Sequence, residues 1–370
     1  MVLTRRKRTT LSSITRLPNE LLIEIIENVP KADLPSLCRV SKLLRNLTLP
    51  TLNRHVVFFI DCYPFVAFCS ALIANPTRGS AIKSFALLQS DLQTVSEREL
   101  GLLVRAMQTM TSLETLYLSV TALYPKLSLL TFSQLVTCKM AVTEIHPSHY
   151  AAAKQFLSRH ETLTSLSVRL GYEPSVPMPA ISLPNLRHLE APSHVFKDVV
   201  SQRISAMRVF WSDKSGVPSA DLIDETVTTL KALTSPTAPF ISYQDFFDMR
   251  ETDYIPVLDS LSRHMQHTTS LGVRARDMKR SIHLFSHLPR FSKLKYLALQ
   301  CDYRRPPTPE RLARAWELVR NKVDSGSINA LIACPIQDTA WKKVDGLWEE
   351  YPEEEFQIQA GLDAFMVDLL

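Results

Sequence analysis

Glycine is scarce in this sequence, with 8 residues among 370. The glycine-rich phosphate loops GxGxxG and GxxxxGK(S/T) are absent, and so are the HExxH, GxSxG and EF-hand patterns of common metalloproteases, hydrolases and calcium-binding proteins. These absences argue against nucleotide-binding folds and against the most common catalytic sites. We therefore predict that the chain is not an enzyme.

The cysteines form no CxxC pair, and the six of them are scattered among mostly apolar neighbours. Such spacing argues against a zinc site or a disulfide framework and favours a reducing compartment. His264 and His267 have the spacing of two metal ligands on one helix face, but no cysteine or carboxylate lies at a usual ligand spacing beside them. We predict surface histidines here, with no metal and no cofactor.

Long apolar runs are missing as well. The longest, from Phe65 to Ala74, is far shorter than the roughly 18 residues of a membrane-spanning helix. The net charge of +5 is modest and spread along the chain, unlike the footprint of a nucleic-acid-binding protein. With 45% hydrophobic residues and a mean hydropathy of −0.01, the chain is predicted to be globular, without a membrane or nucleic-acid partner.

The first fifteen residues contain no acidic residue and include Arg5-Arg6-Lys7-Arg8. They lack the apolar core of a secretory signal, so we predict a flexible basic tail over residues 1–15. A nuclear import signal and a mitochondrial transit peptide are the alternatives. The predicted location is the cytoplasm, the nucleus or both.

Residues 17–54 are rich in apolar side chains with helical spacing. Pro18 suits the first position of a helix and Glu20 suits the positive end of the helix dipole. The apolar side chains of this first helix are Leu21, Leu22, Ile25, Ile26 and Val29, and Pro30 should stop it.

Two more short helices follow in the same segment. Asp33 is placed to cap the second helix and Ser41 the third, which should end before Pro50. Three helices of this size are too few to bury so many apolar side chains. Part of their surface must be covered by the rest of the chain or by another protein.

This segment resembles an F-box. The resemblance rests on these residues: Leu17-Pro18-x-Glu20-Leu21, Ile25, Asp33-Leu34, Val40-Ser41-Lys42 and Arg45. It implies a three-helix F-box over residues 16–55 that binds the Skp-type adaptor of Skp–cullin–F-box (SCF) ubiquitin ligases and, through it, a cullin. An ordinary helical cap on a larger domain is the alternative. The adaptor-binding residues implied are Leu17, Pro18, Leu21, Ile25, Leu34, Leu37, Val40 and Leu44.

Residues 56–370 repeat an approximate L-x-x-L-x-L pattern, typical of leucine-rich-repeat strands. The copies begin at Ile82, Leu113, Leu135, Leu163, Leu186, Met207 and Leu294, and Thr268–Val273 is a further candidate. Helix-compatible segments lie between them, and the gap from Ser212 to Thr268 breaks the period. We predict an α/β fold: the three-helix F-box followed by an irregular leucine-rich-repeat-like solenoid of alternating helices and short parallel strands. An α/β domain with coincidental strands of this pattern is the alternative.

A C-terminal cap is predicted at about residues 308–350. It would contain a helix capped by Thr308, a strand over Ser327–Cys334 and a closing helix around Trp341, Val344 and Trp348. Such a cap would shield the open end of a repeat stack.

Side chains between the leucines of each repeat should face a common surface. Tyrosine and arginine are favoured at interfaces, and the substrate-binding residues predicted on this surface are Tyr117, Arg169, His188, Glu190 and Tyr296. Together with this surface, the resemblance to an F-box implies a substrate-recognition subunit of an SCF-type ligase with an unknown protein substrate. The alternatives are a binding protein that uses the adaptor alone and, less well supported, an enzyme carrying an F-box.

Overall fold

The computed structural model describes residues 17–60, 64–88, 95–142, 147–170, 180–201, 204–210, 219–233, 240–243, 254–275, 287–301, 330–333, 339–344 and 347–352. The chain divides into two compact units. The first comprises residues 1–117 and 129–135, and the second comprises residues 118–128 and 136–370.

The first unit begins with three helices, α1 (Asn19–Glu27), α2 (Leu34–Val40) and α3 (Lys42–Asn53), and α3 packs against the other two. Ser41 caps α3 as predicted, because its side-chain oxygen accepts a hydrogen bond from the Leu44 N–H at 3.1 Å. Asp33 stands at the N-terminus of α2, but its side chain makes no capping hydrogen bond. The three predicted helices are therefore present, and one of the two predicted caps is formed.

The prediction that α3 ends before Pro50 is wrong. The helix continues through Pro50 to Asn53. Proline costs helix stability chiefly because it lacks an N–H donor and crowds the preceding turn. Pro50 lies in the last turn of α3, and only three helical residues follow it. Its missing N–H therefore weakens only the end of the helix.

The rest of the first unit alternates strands and helices. Its elements are β1 (His55–Phe59), α4 (Pro64–Ala74), α5 (Pro76–Gly79), β2 (Ser84–Leu88), α6 (Glu97–Met107) and β3 (Thr115–Ser119), whose last two residues are counted in the second unit. β1 pairs in parallel with β2, so that Val57 lies opposite Ala86. Ser96 and Glu99 form a capping box at the start of α6. Phe58 packs on Phe65 and Phe68, so α4 covers one face of β1.

The second unit continues the alternation. Its elements are a 3₁₀ segment (Thr121–Leu129), β4 (Thr137–Val142), α7 (Pro147–Leu157), β5 (Ser165–Leu170), β6 (Ile181–Ser182), β7 (His188–Pro192), a 3₁₀ turn (Ser193–Asp198), β8 (Val199–Val200), β9 (Ala206–Phe210), α8 (Ala220–Leu233), β10 (Phe240–Tyr243), α9 (Tyr254–His264), β11 (Ser270–Ala275), a 3₁₀ turn (Leu288–Arg290), β12 (Tyr296–Cys301), β13 (Ala330–Ala333), β14 (Thr339–Val344) and β15 (Leu347–Pro352). The neighbouring strands in this unit follow the order β4, β5, β7, β9 and β10. Each of the four pairings between them is parallel.

The leucine positions of the predicted repeats form the core. In the copies from Ile82 to Leu186, all three apolar positions are buried. Before several of the strands a carbonyl accepts two N–H groups from the next copy, as when Val136 O accepts hydrogen bonds from Thr164 and Ser165. The N–H of the first apolar residue also closes a turn, for example from Leu163 to His160 O.

The register predicted for the sixth copy is wrong by three residues. Ala206 lies opposite His188, so the residue corresponding to Leu186 is Ile204 rather than Met207. The buried positions of this copy are Ile204, Met207 and Val209. The pattern alone does not distinguish a copy that begins at Ile204 from one that begins at Met207, because isoleucine and methionine both satisfy its first apolar position.

The gap from Ser212 to Thr268 was predicted to break the period, and the structure corrects this. It contains α8, β10 and α9, and β10 pairs in parallel with β9. The sequence of β10, Phe240-Ile241-Ser242-Tyr243, lacks leucines at the repeat spacing, which is why the pattern search missed the strand.

The predicted closing helix is also wrong. Trp341 lies on β14 and Trp348 on β15, which form an antiparallel hairpin. The two residues between these strands are Asp345-Gly346, a dipeptide typical of two-residue hairpin connections. The strand predicted over Ser327–Cys334 is found as β13, whereas the predicted helix after Thr308 lies outside the described residues.

The fold is therefore mixed α/β with parallel sheet pairing, after an N-terminal group of three helices. This coarse architecture matches the sequence-based expectation. The finer assignment to a leucine-rich-repeat solenoid stays a prediction, as do the proposed domain boundaries.

Candidate functional site

The exposed side of the N-terminal helices is strongly apolar. Leu21 and Ile25 project from one face of α1 and are 46% and 52% exposed, and Val40 at the end of α2 is 51% exposed. Leu17 is exposed just before α1. Four large apolar side chains exposed within one group of three short helices indicate a surface that a partner covers. We call Leu17, Leu21, Ile25 and Val40 the helical apolar surface.

The buried side of the same helices holds them together. Leu22, Ile26 and Leu34 are buried, so the helix α1 divides its apolar side chains between the two faces. Residues separated by four positions share a helix face, which places Leu21 with Ile25 and Leu22 with Ile26.

The predicted adaptor-binding residues therefore differ in accessibility. Pro18 is exposed with the four residues of the helical apolar surface, Leu37 and Leu44 are half-buried, and Leu34 is buried. Leu34 packs inside the three-helix group in this structure. Ile23, which the sequence interpretation did not single out, is 39% exposed on α1.

Basic side chains lie where α1 and the following loop meet the start of β1. Arg54 forms a 3.7 Å ion pair with Glu27, and the Lys31 ammonium donates a hydrogen bond to the His55 carbonyl at 3.2 Å. Burial, together with the nearby charges of Arg54 and Lys31, lowers the pKa of His55. These two contacts tie α1 and the loop after it to the amino end of β1.

Among the predicted substrate-binding residues, the structure brings Arg169 and Glu190 into contact. Arg169 on β5 donates hydrogen bonds from Nε and Nη2 to Glu190 Oε1 on β7, at 3.1 and 2.8 Å. Arg208 on β9 donates from Nη1 to the same oxygen at 3.4 Å. Glu190 is 3% exposed, so its carboxylate holds the two guanidinium groups in place from below the surface.

The other three predicted residues are half-buried. His188 lies on β7 two residues before Glu190 and so shares its face of the strand, Tyr117 lies on β3, and Tyr296 lies on β12. The sequence interpretation missed Arg208. Its signal is the shared register, since Arg208 lies opposite Glu190 once Ile204 begins the sixth copy.

The histidine and cysteine side chains that chemistry could use are in structural contacts or buried. His264 Nε2 lies 3.2 Å from Asp224 Oδ1, which also accepts a hydrogen bond from Ser260, and these contacts join α9 to α8. Burial raises the pKa of the Cys69 and Cys138 thiols to about 12, which makes them poor nucleophiles. In the described ranges there is no cluster of three or more potential metal ligands. Nor is any described helix long and apolar enough to cross a membrane.

Comparison with protein families places this helical segment in a known class. Residues 14–49 match the family model of the F-box domain. The match spans α1, α2 and most of α3 and includes the whole helical apolar surface. The chain therefore contains an F-box domain near its N-terminus, as the sequence resemblance indicated. A search of curated proteins found no match to the chain.

Proposed function

We propose that this chain is the substrate-recognition subunit of an SCF-type ubiquitin ligase. Its F-box binds a Skp-type adaptor, which links the chain to a cullin, and the region after the F-box presents an unknown protein substrate. The observation that carries the proposal is the F-box match together with the exposure of Leu21, Ile25 and Val40 inside it.

The proposed adaptor contact is hydrophobic. Leu17, Leu21, Ile25 and Val40 leave water when the adaptor covers them, and removing apolar area from water favours association at about 25 cal/mol per Å². Because Leu22, Ile26 and Leu34 already hold the helices together, the surface is formed before the adaptor binds.

The proposed substrate platform is the strand region, which we assign to an irregular leucine-rich-repeat-like solenoid. Regular burial of the three leucine positions and the shared carbonyl hydrogen bonds between successive copies support this assignment. Tyr117, Arg169, His188 and Tyr296 are the proposed contact residues, and Glu190 positions Arg169. In this proposal the chain performs no bond chemistry itself. It raises the effective concentration of a target lysine near the ubiquitin-conjugating enzyme.

We further propose the cytoplasm, the nucleus or both as the location, since an SCF ligase works there. The proposal needs no cofactor, metal, membrane or nucleic acid.

A charge placed in the helical apolar surface tests the adaptor contact. We expect Leu21→Asp and Ile25→Asp each to weaken binding of a purified Skp-type adaptor by at least a hundredfold, because a carboxylate would be desolvated without a partner. Isothermal titration calorimetry with the full-length chain measures the affinity, and circular dichroism checks that the fold persists.

Leu129→Asp is the matched control, because Leu129 is a 58% exposed leucine outside the F-box. It should bind the adaptor like the unmodified chain. Adaptor affinity unchanged in both F-box variants would refute the proposed surface.

The second candidate function is a binding protein that pairs with the adaptor without any cullin. The exposure of the helical apolar surface supports it equally, since that surface concerns only the adaptor. Recovery of a cullin separates the two functions.

A further inference from the structure

Within the residues that the structure describes, strand β1 leaves one backbone edge open. It is the terminal strand in the order of its sheet, where its neighbour is β2. Ser84 N–H donates to Arg54 O at one end of the pairing, and Ile60 N–H donates to Leu88 O at the other. Backbone groups alternate sides along a strand, so those of Val56 and Phe58 face β2, and those of His55, Val57 and Phe59 point outward.

Few hydrogen bonds from other described residues reach these outward groups. Lys31 Nζ donates a hydrogen bond to His55 O. In the part of the chain that the structure describes, no hydrogen bond reaches the outward N–H or C=O groups of Val57 and Phe59. An open row of donors and acceptors is a template for pairing with another strand.

The side chains beside this edge are also exposed. Val57 is 42% and Phe59 is 49% exposed, whereas Phe58 on the opposite face packs on α4. Natural edge strands usually carry a charged residue, a proline or a bulge that prevents pairing. The sequence of β1, His-Val-Val-Phe-Phe, has none of these within the strand.

The surroundings of β1 indicate the chemistry of the occupant. Near its amino end lie Lys31, Arg54 and Lys83, and two carboxylates pair with two of them: Glu27 with Arg54 and Glu114 with Lys83. Lys31 adds a positive charge beside the open edge. A pairing strand with an acidic residue at this end would be complementary in charge.

We propose that the open edge of β1 binds an extended peptide segment of the substrate protein by strand addition. The peptide places apolar side chains at alternate positions beside Val57 and Phe59 and an acidic residue near Lys31. This inference rests on the proposed substrate-recognition function and names the kind of segment recognised. One added strand suits a short peptide, whereas a five-residue strand alone buries far less than the roughly 1,200–2,000 Å² of a stable complex between two folded copies.

Peptide selection on the immobilised full-length chain tests the proposal. The probe is a phage-displayed library of random 12-residue peptides. Enriched peptides should share alternating apolar residues and an acidic residue near one end. The best of them, synthesised and fluorescently labelled, should bind with at least tenfold lower affinity to Val57→Lys/Phe59→Lys and to Lys31→Glu.

Val66→Lys is the matched control, because Val66 is 39% exposed on α4 and lies off the edge. It should bind like the unmodified chain. Hydrogen–deuterium exchange should show protection of the Val57 and Phe59 amides when the peptide binds.

The proposal is overturned if no sequence is enriched, if the peptides bind the double variant unchanged, or if protection appears elsewhere. Concentration-dependent dimerisation that the double variant abolishes would assign the edge to a second copy of the chain and would also overturn it. Adaptor affinity is measured in parallel. The double variant should keep its affinity for the adaptor. The F-box function is tested separately, by the adaptor affinity of Leu21→Asp.

Discussion

Glu190 Oε1 is the meeting point of two guanidinium groups from neighbouring strands, with three hydrogen bonds of 2.8 to 3.4 Å. Glu190→Gln removes the charge but keeps the shape. We expect it to lower the free energy of unfolding by about 2 kcal/mol, because hydrogen bonds to charged groups contribute roughly 1.5–3 kcal/mol and Glu190 itself is nearly inaccessible to water. Urea denaturation measures the change.

Glu161→Gln is its control, since Glu161 is exposed and its side chain has no ion pair with any described residue. This change should stay within about 0.5 kcal/mol. Equal losses in the two variants would show that the Arg169–Glu190–Arg208 cluster adds no net stability.

Individual residues also show which features of the structure the sequence does not predict. The sequence identified the apolar side chains of α1 but left open which of them face outward. Leu21 and Leu22 are adjacent leucines of equal hydrophobicity, yet Leu21 is exposed and Leu22 is buried. That division depends on how α3 packs against α1, a tertiary contact that local spacing does not encode.

At the level of elements, the corrected register of β9 leads to a prediction about stability. Ile204 fills the buried position that Leu186 fills in the preceding copy. We expect Ile204→Ala to cost about 3 kcal/mol of unfolding free energy through the lost burial and the cavity left behind. Thermal and urea unfolding measure the loss.

Val200→Ala removes the same kind of side chain from a position that is 51% exposed, and it should cost less than about 0.5 kcal/mol. If Ile204→Ala costs no more than this control, then the register through Ala206 is incorrect.

Strands with leucines at regular spacing were predictable because each apolar position must be buried against its neighbours. Helices with a clear cap were also predictable: α6 has its Ser96–Glu99 capping box. The C-terminal hairpin was not predicted, because Trp341, Val344 and Trp348 have a spacing compatible with a helix. The structure instead pairs these residues across two antiparallel strands, with Trp341 opposite Glu350.

For the whole molecule, the proposed function gives the F-box and the strand region separate tasks. In the proposed function the exposed F-box residues bind the adaptor, whereas the strand face and the edge of β1 bind the substrate. A variant that loses the adaptor should therefore keep its peptide affinity. This separation follows because Leu21 and Ile25 point to solvent and contribute little to the folded core.

Recovery of a cullin decides between the two proposed functions. We expect affinity purification of the full-length chain from cells with the proteasome inhibited to recover a Skp-type adaptor and a cullin in comparable amounts by quantitative mass spectrometry. Leu21→Asp should lose both together, since the cullin is reached only through the adaptor, and Leu129→Asp should keep both. An adaptor recovered at full level without any cullin would refute the ligase function and leave the adaptor-binding function standing. The F-box surface supports both functions equally, because it concerns only the adaptor. Recovery of the cullin therefore separates presentation of a target for ubiquitination from adaptor binding alone.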